Sequence, residues 1–114
     1  MRYLIEMRLK HFPPSMALEE GIAFVEQGIA PTLDAMMAME QQGTVIAGGP
    51  VAGSIALAFI ADVDSQAALD GIFAALPIWP RMETTVSPLT TFAARKASVQ
   101  QLVARLREGG VAAM

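Results

Sequence analysis

Apolar and polar side chains alternate along the first ten residues. Tyr3, Ile5, Met7 and Leu9 alternate with Arg2, Glu6, Arg8 and Lys10, and Leu4 is the one exception. A period of two is typical of a strand with one face buried, and β-branched and aromatic side chains favour strands as well. The pattern therefore predicts a first strand over residues 2–10. Pro13 and Pro14 end it because proline cannot donate to a β-ladder.

The spacing becomes helical after Ser15, which is a candidate N-cap. Apolar residues then recur every three or four positions, at Ile22, Val25, Ile29, Leu33 and Met36. Pro31 falls inside this pattern, so we expect the helix to kink or to divide, with Pro31 opening the second piece. Gly43 is expected to end it.

The rest of the chain predicts three more strands and two more helices. The strands cover residues 44–49, 54–63 and 82–92, and the helices cover residues 64–77 and 94–110. The strand over 54–63 is apolar at both odd and even positions, which predicts a central strand covered on both faces. Pro77 is expected to end the helix over 64–77. Pro88 marks the strand over 82–92 as an edge strand or the site of a bulge.

The order of elements is β-α-β-β-α-β followed by a C-terminal helix, which indicates the α+β class and a ferredoxin-like arrangement. Both internal helices would then cover one face of a four-stranded antiparallel sheet. The other face stays bare although strand 54–63 is apolar there, and an exposed apolar face typically marks an interface. We expect two such sheets to pair as a dimeric α+β barrel.

Composition supports self-association. Of the 114 residues, 54% are hydrophobic and 17% are charged, against an average of about 25% charged. No apolar run is long enough to span a membrane, and the charged N-terminal strand lacks a signal-peptide core, so we expect a cytoplasmic protein without a membrane partner. The absence of cysteine excludes disulfides and thiolate chemistry, and the net charge of −3 argues against a nucleic-acid partner.

Several short motifs occur in an order that resembles the muconolactone isomerase-like family of dimeric α+β barrels. They are Gly43–Thr44, Ala52–Gly53, Asp62–Val63 with Ser65, and Leu76–Pro77 with Trp79–Pro80. The resemblance covers most of residues 1–92, which we interpret as the family's domain. Residues 93–114 would be a helical extension beyond the family's usual end, and would cap the barrel or clasp a second subunit.

The resemblance implies a cofactor-free isomerase of aromatic-compound catabolism that moves a carbon-bound proton within a small unsaturated lactone or acid. It also implies a homodimer or a larger ring. Members of the family carry His and Lys side chains on the barrel-facing side of the first strand, where this sequence has Leu4 and Glu6. Their polar second strand is replaced here by small apolar residues, 45–49. A non-catalytic binder of small hydrophobic ligands and a purely structural oligomer are therefore alternatives.

The first strand carries the first candidate site residues. Glu6 and Arg8 lie on the side of the strand opposite Ile5 and Met7. If the apolar side packs on the helices, Glu6 and Arg8 face the interior of the barrel. A carboxylate removed from water is a candidate catalytic base, and Arg8 is a candidate substrate-binding residue for a carboxylate. Alternatively, the two residues pair structurally with each other, across strands or across the dimer.

Three further candidates lie near the ends of the strands. His11, the only histidine, is a candidate catalytic acid or base, or else a solvent-facing loop residue. Trp79 lies between two prolines and is a candidate substrate-binding residue or a core residue. Arg81 is a candidate substrate-binding residue or a plain surface arginine. A metal site is not expected because no carboxylate cluster joins the single histidine.

Overall fold

The computed structural model describes residues 1–10 and 17–110, so His11 and the predicted cap Ser15 lie outside the described residues. The strands are β1 (Arg2–Leu9), β2 (Val45–Pro50), β3 (Ala56–Asp62) and β4 (Met82–Leu89). The helices are α1 (Leu18–Phe24), α2 (Ala30–Gln41), α3 (Gln66–Ala74) and α4 (Phe92–Arg105). The strands form one antiparallel sheet in the order β2-β3-β1-β4. The predicted α+β fold with a four-stranded antiparallel sheet is confirmed.

The first predicted helix is divided, as Pro31 indicated. A π-helical segment, Val25–Ile29, joins α1 to α2, and Pro31 lies in the first turn of α2. Proline has no backbone N–H to donate, so the ladder must be rearranged near it, and π turns are one way a helix accommodates such a change. Gly43 follows α2 with a φ of 81°, a conformation that glycine adopts readily.

The core lies between the helices and one face of the sheet. The largest fully buried side chains are Phe59, Ile5, Met7 and Leu76. Ile5 and Met7 belong to the alternating set of β1, which confirms that this side of the strand packs inward. The opposite side of β1 is therefore left facing away from the helices, because successive side chains of a strand point to opposite faces.

Thr32 of α2 is a buried polar residue, 3% exposed, that ties this helix to the segment after α3. Its hydroxyl oxygen accepts a hydrogen bond from the backbone N–H of Ile78 at 3.3 Å. Replacing Thr32 by valine keeps the shape of the side chain and removes the acceptor. The N–H of Ile78 is then left buried without a partner, which costs about 1–3 kcal/mol.

We therefore expect T32V to lower the free energy of unfolding by that amount in urea titrations at a fixed protein concentration. The control is Thr90→Val, which removes a hydroxyl from an exposed residue of the β4–α4 connection. Equal stabilities of the two variants would contradict this role for the hydroxyl of Thr32.

Each edge strand of the sheet contains a proline, and β2 is also irregular in its register. The β2–β3 register shifts between Val45 and Ala47, and Gly48 directly beyond it has a φ of 117°. Pro50 ends β2 on one edge of the sheet, and Pro88 lies within β4 on the other edge. The predicted edge position of Pro88 is confirmed.

The end of the last strand is the main correction to the sequence prediction. β4 ends at Leu89, and Phe92 begins α4 instead of closing the strand. The hydroxyl oxygen of Thr91 accepts a hydrogen bond from the N–H of Ala94 at 3.0 Å and so caps the helix. Threonine and phenylalanine favour strands, but here the capping bond sets the boundary.

α4 projects away from the rest of the molecule. None of its residues is buried. The radius of gyration is 20.0 Å, whereas a compact chain of this length has about 13 Å. The longest dimension is 69 Å, against 33 and 25 Å for the other two. Within the part of the chain that the structure describes, the C-terminal helix is therefore an arm that buries none of its residues against its own protomer.

Candidate functional site

The face of the sheet that the helices leave uncovered, here called the open face, holds the first candidate residues. Residues directly opposite each other in the ladders share a face, which assigns to it Leu4, Glu6, Arg8, Ala56, Ala58, Ile60, Glu83, Thr85 and Ser87. Glu6 lies on the central strand β1, between Ala58 of β3 and Thr85 of β4. An exposed carboxylate thus stands between a methyl group and a hydroxyl-bearing side chain.

Arg8 lies two residues further along the same face. Its neighbours across the strands are Ala56 of β3 and Glu83 of β4. Ala56 and Ala58 are small, and a hollow of about 200 Å³ lies here, with Glu6, Arg8 and Thr85 among its lining residues. This open-face hollow therefore combines a carboxylate, a guanidinium and a hydroxyl with a small apolar wall.

Neither Glu6 nor Arg8 is held in an ion pair. Within residues 1–10 and 17–110, the ion pairs of 4.0 Å or less join Asp62 to the amino group of Met1 and to Arg2. Structural pairing of Glu6 with Arg8 therefore does not occur inside the described protomer. Both groups remain available to a ligand or to a second subunit.

Trp79 and Arg81 lie on the other side of the sheet. They belong to a short 3₁₀ turn, Trp79–Arg81, that leads into β4. The indole of Trp79 stacks on the ring of Phe73 in α3, with ring centroids 5.8 Å apart and planes inclined by 13°. The guanidinium of Arg81 lies 5.4 Å from the ring centroid of Phe24 in α1, a cation–π contact. Because Trp79 and Arg81 contact helices, they lie on the opposite side of the sheet from Glu6 and Arg8.

Two larger hollows lie on the helical side. The Arg81 hollow, of about 490 Å³, lies between α1 and the turn that follows α3, and its lining includes Glu20, Gln27 and Arg81. The apolar hollow, of about 290 Å³, lies between α2 and the β2–β3 edge, and its lining includes Met36 and Phe59. The sequence-predicted site residues are therefore divided between two faces.

The remaining candidate, His11, lies outside the described residues. Across residues 1–10 and 17–110, no three His, Cys, Asp or Glu side chains are grouped so that they could hold a metal ion. None of the helices in that part of the chain combines the length and the apolar character needed to cross a bilayer.

Glu83 and Thr85 are residues of the open-face hollow that the sequence did not single out. They were missed because Pro88 and the surrounding threonines obscure the alternation of this strand. The β1–β4 register identifies them. An antiparallel neighbour of β1 must place one residue opposite Glu6 and another opposite Arg8 on the same face of the sheet.

Comparisons with known proteins agree with this fold. The family model for muconolactone delta-isomerase matches residues 1–107. A crystal structure of muconolactone isomerase at 3.3 Å resolution is similar to this chain, with a TM-score of 0.65 and 24% sequence identity over 80% of this chain and 90% of that chain. No curated protein matches the sequence. The residues matched by the family model include all of α4.

Proposed function

This chain belongs to the muconolactone delta-isomerase family, and on that premise we propose that it is a cofactor-free isomerase of a small unsaturated lactone or acid. One observation carries the proposal. Glu6 and Arg8, neither of them in an ion pair, lie side by side in the open-face hollow. Moving a carbon-bound proton within an anionic substrate requires a base and a group that holds the substrate's charge in place, and Glu6 and Arg8 are candidates for these two roles.

In the proposed reaction the carboxylate of Glu6 takes a proton from the ring carbon that adjoins the C=C bond conjugated with the lactone carbonyl. The electron pair of that C–H bond delocalises into the conjugated system and forms an enolate. The protonated Glu6 then returns the same proton to another carbon of that system. The double bond moves, and the product has the same molecular formula as the substrate. The guanidinium of Arg8 binds the carboxylate of the substrate, and the hydroxyl of Thr85 donates to the enolate oxygen.

A second copy of the chain is part of this proposal. In the protomer the hollow is open to water, which weakens every charge interaction in it. Leu4 and Ile60 add apolar surface to the same face and are only partly covered. Pairing two open faces in a homodimer would bury these side chains and enclose the hollow, which is the environment that such proton transfers need. We place this dimer in the cytoplasm.

The proposal is tested with purified protein and muconolactone, by following isomerisation spectroscopically. Arg8→Met is expected to lower kcat/KM about 10- to 150-fold, mainly through KM, since a hydrogen bond to a charged group contributes about 1.5–3 kcal/mol. Arg81→Met tests the rival location, because Arg81 lines the hollow on the helical side.

A loss confined to Arg8→Met supports the open face as the site. A loss confined to Arg81→Met would move the site to the Arg81 hollow. Absence of turnover by the unmodified protein with muconolactone and related unsaturated lactones would remove the proposed activity itself.

The apolar hollow favours a second candidate function, the binding of a small hydrophobic molecule without turnover. Met36, Met37 and Phe59 line it, and flexible methionine side chains adapt to varied apolar ligands. A pure binder would leave the lactone unreacted, yet the lactone would raise the free energy of unfolding in urea with the logarithm of its concentration above Kd. Catalysis together with protection by lactone would favour the isomerase.

A further inference from the structure

α4 and the π-helical turn that continues it, Leu106–Gly110, present an apolar stripe that the other described residues leave uncovered. Val99, Leu102, Val103 and Leu106 recur at intervals of three and four residues, and each is between 40% and 48% exposed. An isolated helix of this length is only marginally stable in water. The stripe therefore needs a surface to pack on.

The charge of this arm is opposite to that of the rest of the chain. Over residues 92–110, which include the π-helical turn, its basic residues are Arg95, Lys96, Arg105 and Arg107, and Glu108 is its only acidic residue. Residues 1–91 carry four basic and ten acidic residues. At 100° per residue, Arg95 and Lys96 lie within or beside the stripe, whereas Ala97 and Gln101 lie on the opposite side of the helix.

A matching surface lies on the divided helix at the other end of the chain. From Leu18 to Gln41, α1, the π-helical segment and α2 carry Glu19, Glu20, Glu26, Asp34 and Glu40 but no Lys or Arg. The same segment exposes Leu18, Ile22, Val25, Leu33 and Met37. This acidic helical face therefore offers apolar side chains bordered by carboxylates, the complement of a stripe bordered by cations.

We propose that α4 of one copy docks along the acidic helical face of a second copy of this chain. α4 is about 21 Å long and the acceptor about 36 Å, at 1.5 Å per residue, so the arm fits within the face. In the structure α4 does not dock on its own protomer. It extends outward, which gives the molecule its length of 69 Å, and none of its residues is buried.

This contact lies on the helical side of the protomer, whereas the dimer of the proposed function uses the open face. A chain that uses both surfaces has two different self-contacts. Two different self-contacts extend a dimer into a larger closed assembly when their rotations close, and into a filament when they do not.

The test is a charge swap read by native mass spectrometry and light scattering. One variant, R95E/R105E, makes the arm acidic, and the other, E19K/E26K/D34K, makes the acceptor basic, with three lysines against the remaining Glu20 and Glu40. Each variant alone sets like charges against each other, so the assembly mass is expected to fall at least two-fold. Mixed in equal amounts, they are expected to regain the unmodified mass, because every arm then meets an acceptor of opposite charge.

The control variant A97E/Q101E adds acidic residues to the side of α4 opposite the stripe and is expected to keep the unmodified mass. Circular dichroism of each variant confirms that α4 is folded, and recovery in the mixture excludes misfolding as the cause of a loss. Unchanged mass in both swapped variants would overturn the proposal, and so would a mixture that stays dissociated. Turnover is not a readout here, so the outcome is independent of the proposed activity.

Discussion

Replacing Glu6 by glutamine is expected to lower kcat/KM for lactone isomerisation by about 10²- to 10⁴-fold, the usual contribution of a positioned general base. Glutamine keeps the size and hydrogen-bonding capacity of the side chain but cannot accept the proton. The loss should appear in kcat, whereas the loss in Arg8→Met should appear mainly in KM. Steady-state kinetics on the two variants separate these effects.

The matched control is Asp70→Asn, which removes an exposed carboxylate from α3, on the helical side of the sheet. Its kinetics should equal those of the unmodified protein. Glu6→Asp, which retains a base one methylene shorter, should fall between the two. Full activity in Glu6→Gln would show that another group takes the proton.

Replacing Gly48 by alanine is expected to destabilise the fold by several kcal/mol. A Cβ at this position would lie 2.3 Å from the carbonyl oxygen of Ala58 and 2.4 Å from the Cα of Phe59, both backbone atoms of β3. The φ of 117° is a conformation that only glycine adopts readily. Strained backbone costs about 1–3 kcal/mol and overpacking typically about 1–3 kcal/mol more.

Gly49→Ala is the control because it differs by one position in the same strand. An added Cβ there meets nothing within 4 Å, and the position needs no left-handed backbone. Urea unfolding at one protein concentration should therefore show a large loss for Gly48→Ala and little change for Gly49→Ala. Similar curves for the two variants would mean that β2 moves freely away from β3.

The sequence was sufficient to predict the fold because its local signals agree with one another. The alternation in β1 identified which of its sides is buried, and the fully buried Ile5 and Met7 follow it. Pro31 predicted the division of the first helix, and the apolar character of residues 54–63 predicted a central strand, since β3 lies between β2 and β1. Each of these signals acts over a few residues, where chain geometry leaves few choices.

The candidate site was less predictable, because it depends on which side of the sheet each residue occupies. Glu6 and Arg8 belong to a regular strand, so their shared face follows from parity. Trp79 and Arg81 follow a proline in an irregular turn, where no period determines direction, and their partners Phe73 and Phe24 are distant in sequence. The proximity of Glu83 to Arg8 likewise depends on β-register, which one strand alone does not specify.

The prolines at the two edges of the sheet limit how this chain can associate. An apolar protein with free strand edges is prone to aggregate by adding strands from neighbouring molecules, since exposed N–H and C=O groups accept almost any extended segment. Here Pro50 and the irregular register at Gly48 disrupt one edge, and Pro88 removes a donor from the other. Such edges resist open-ended amyloid-like growth, so a molecule can expose this much hydrophobic surface and still associate through faces whose shape and charge select the partner.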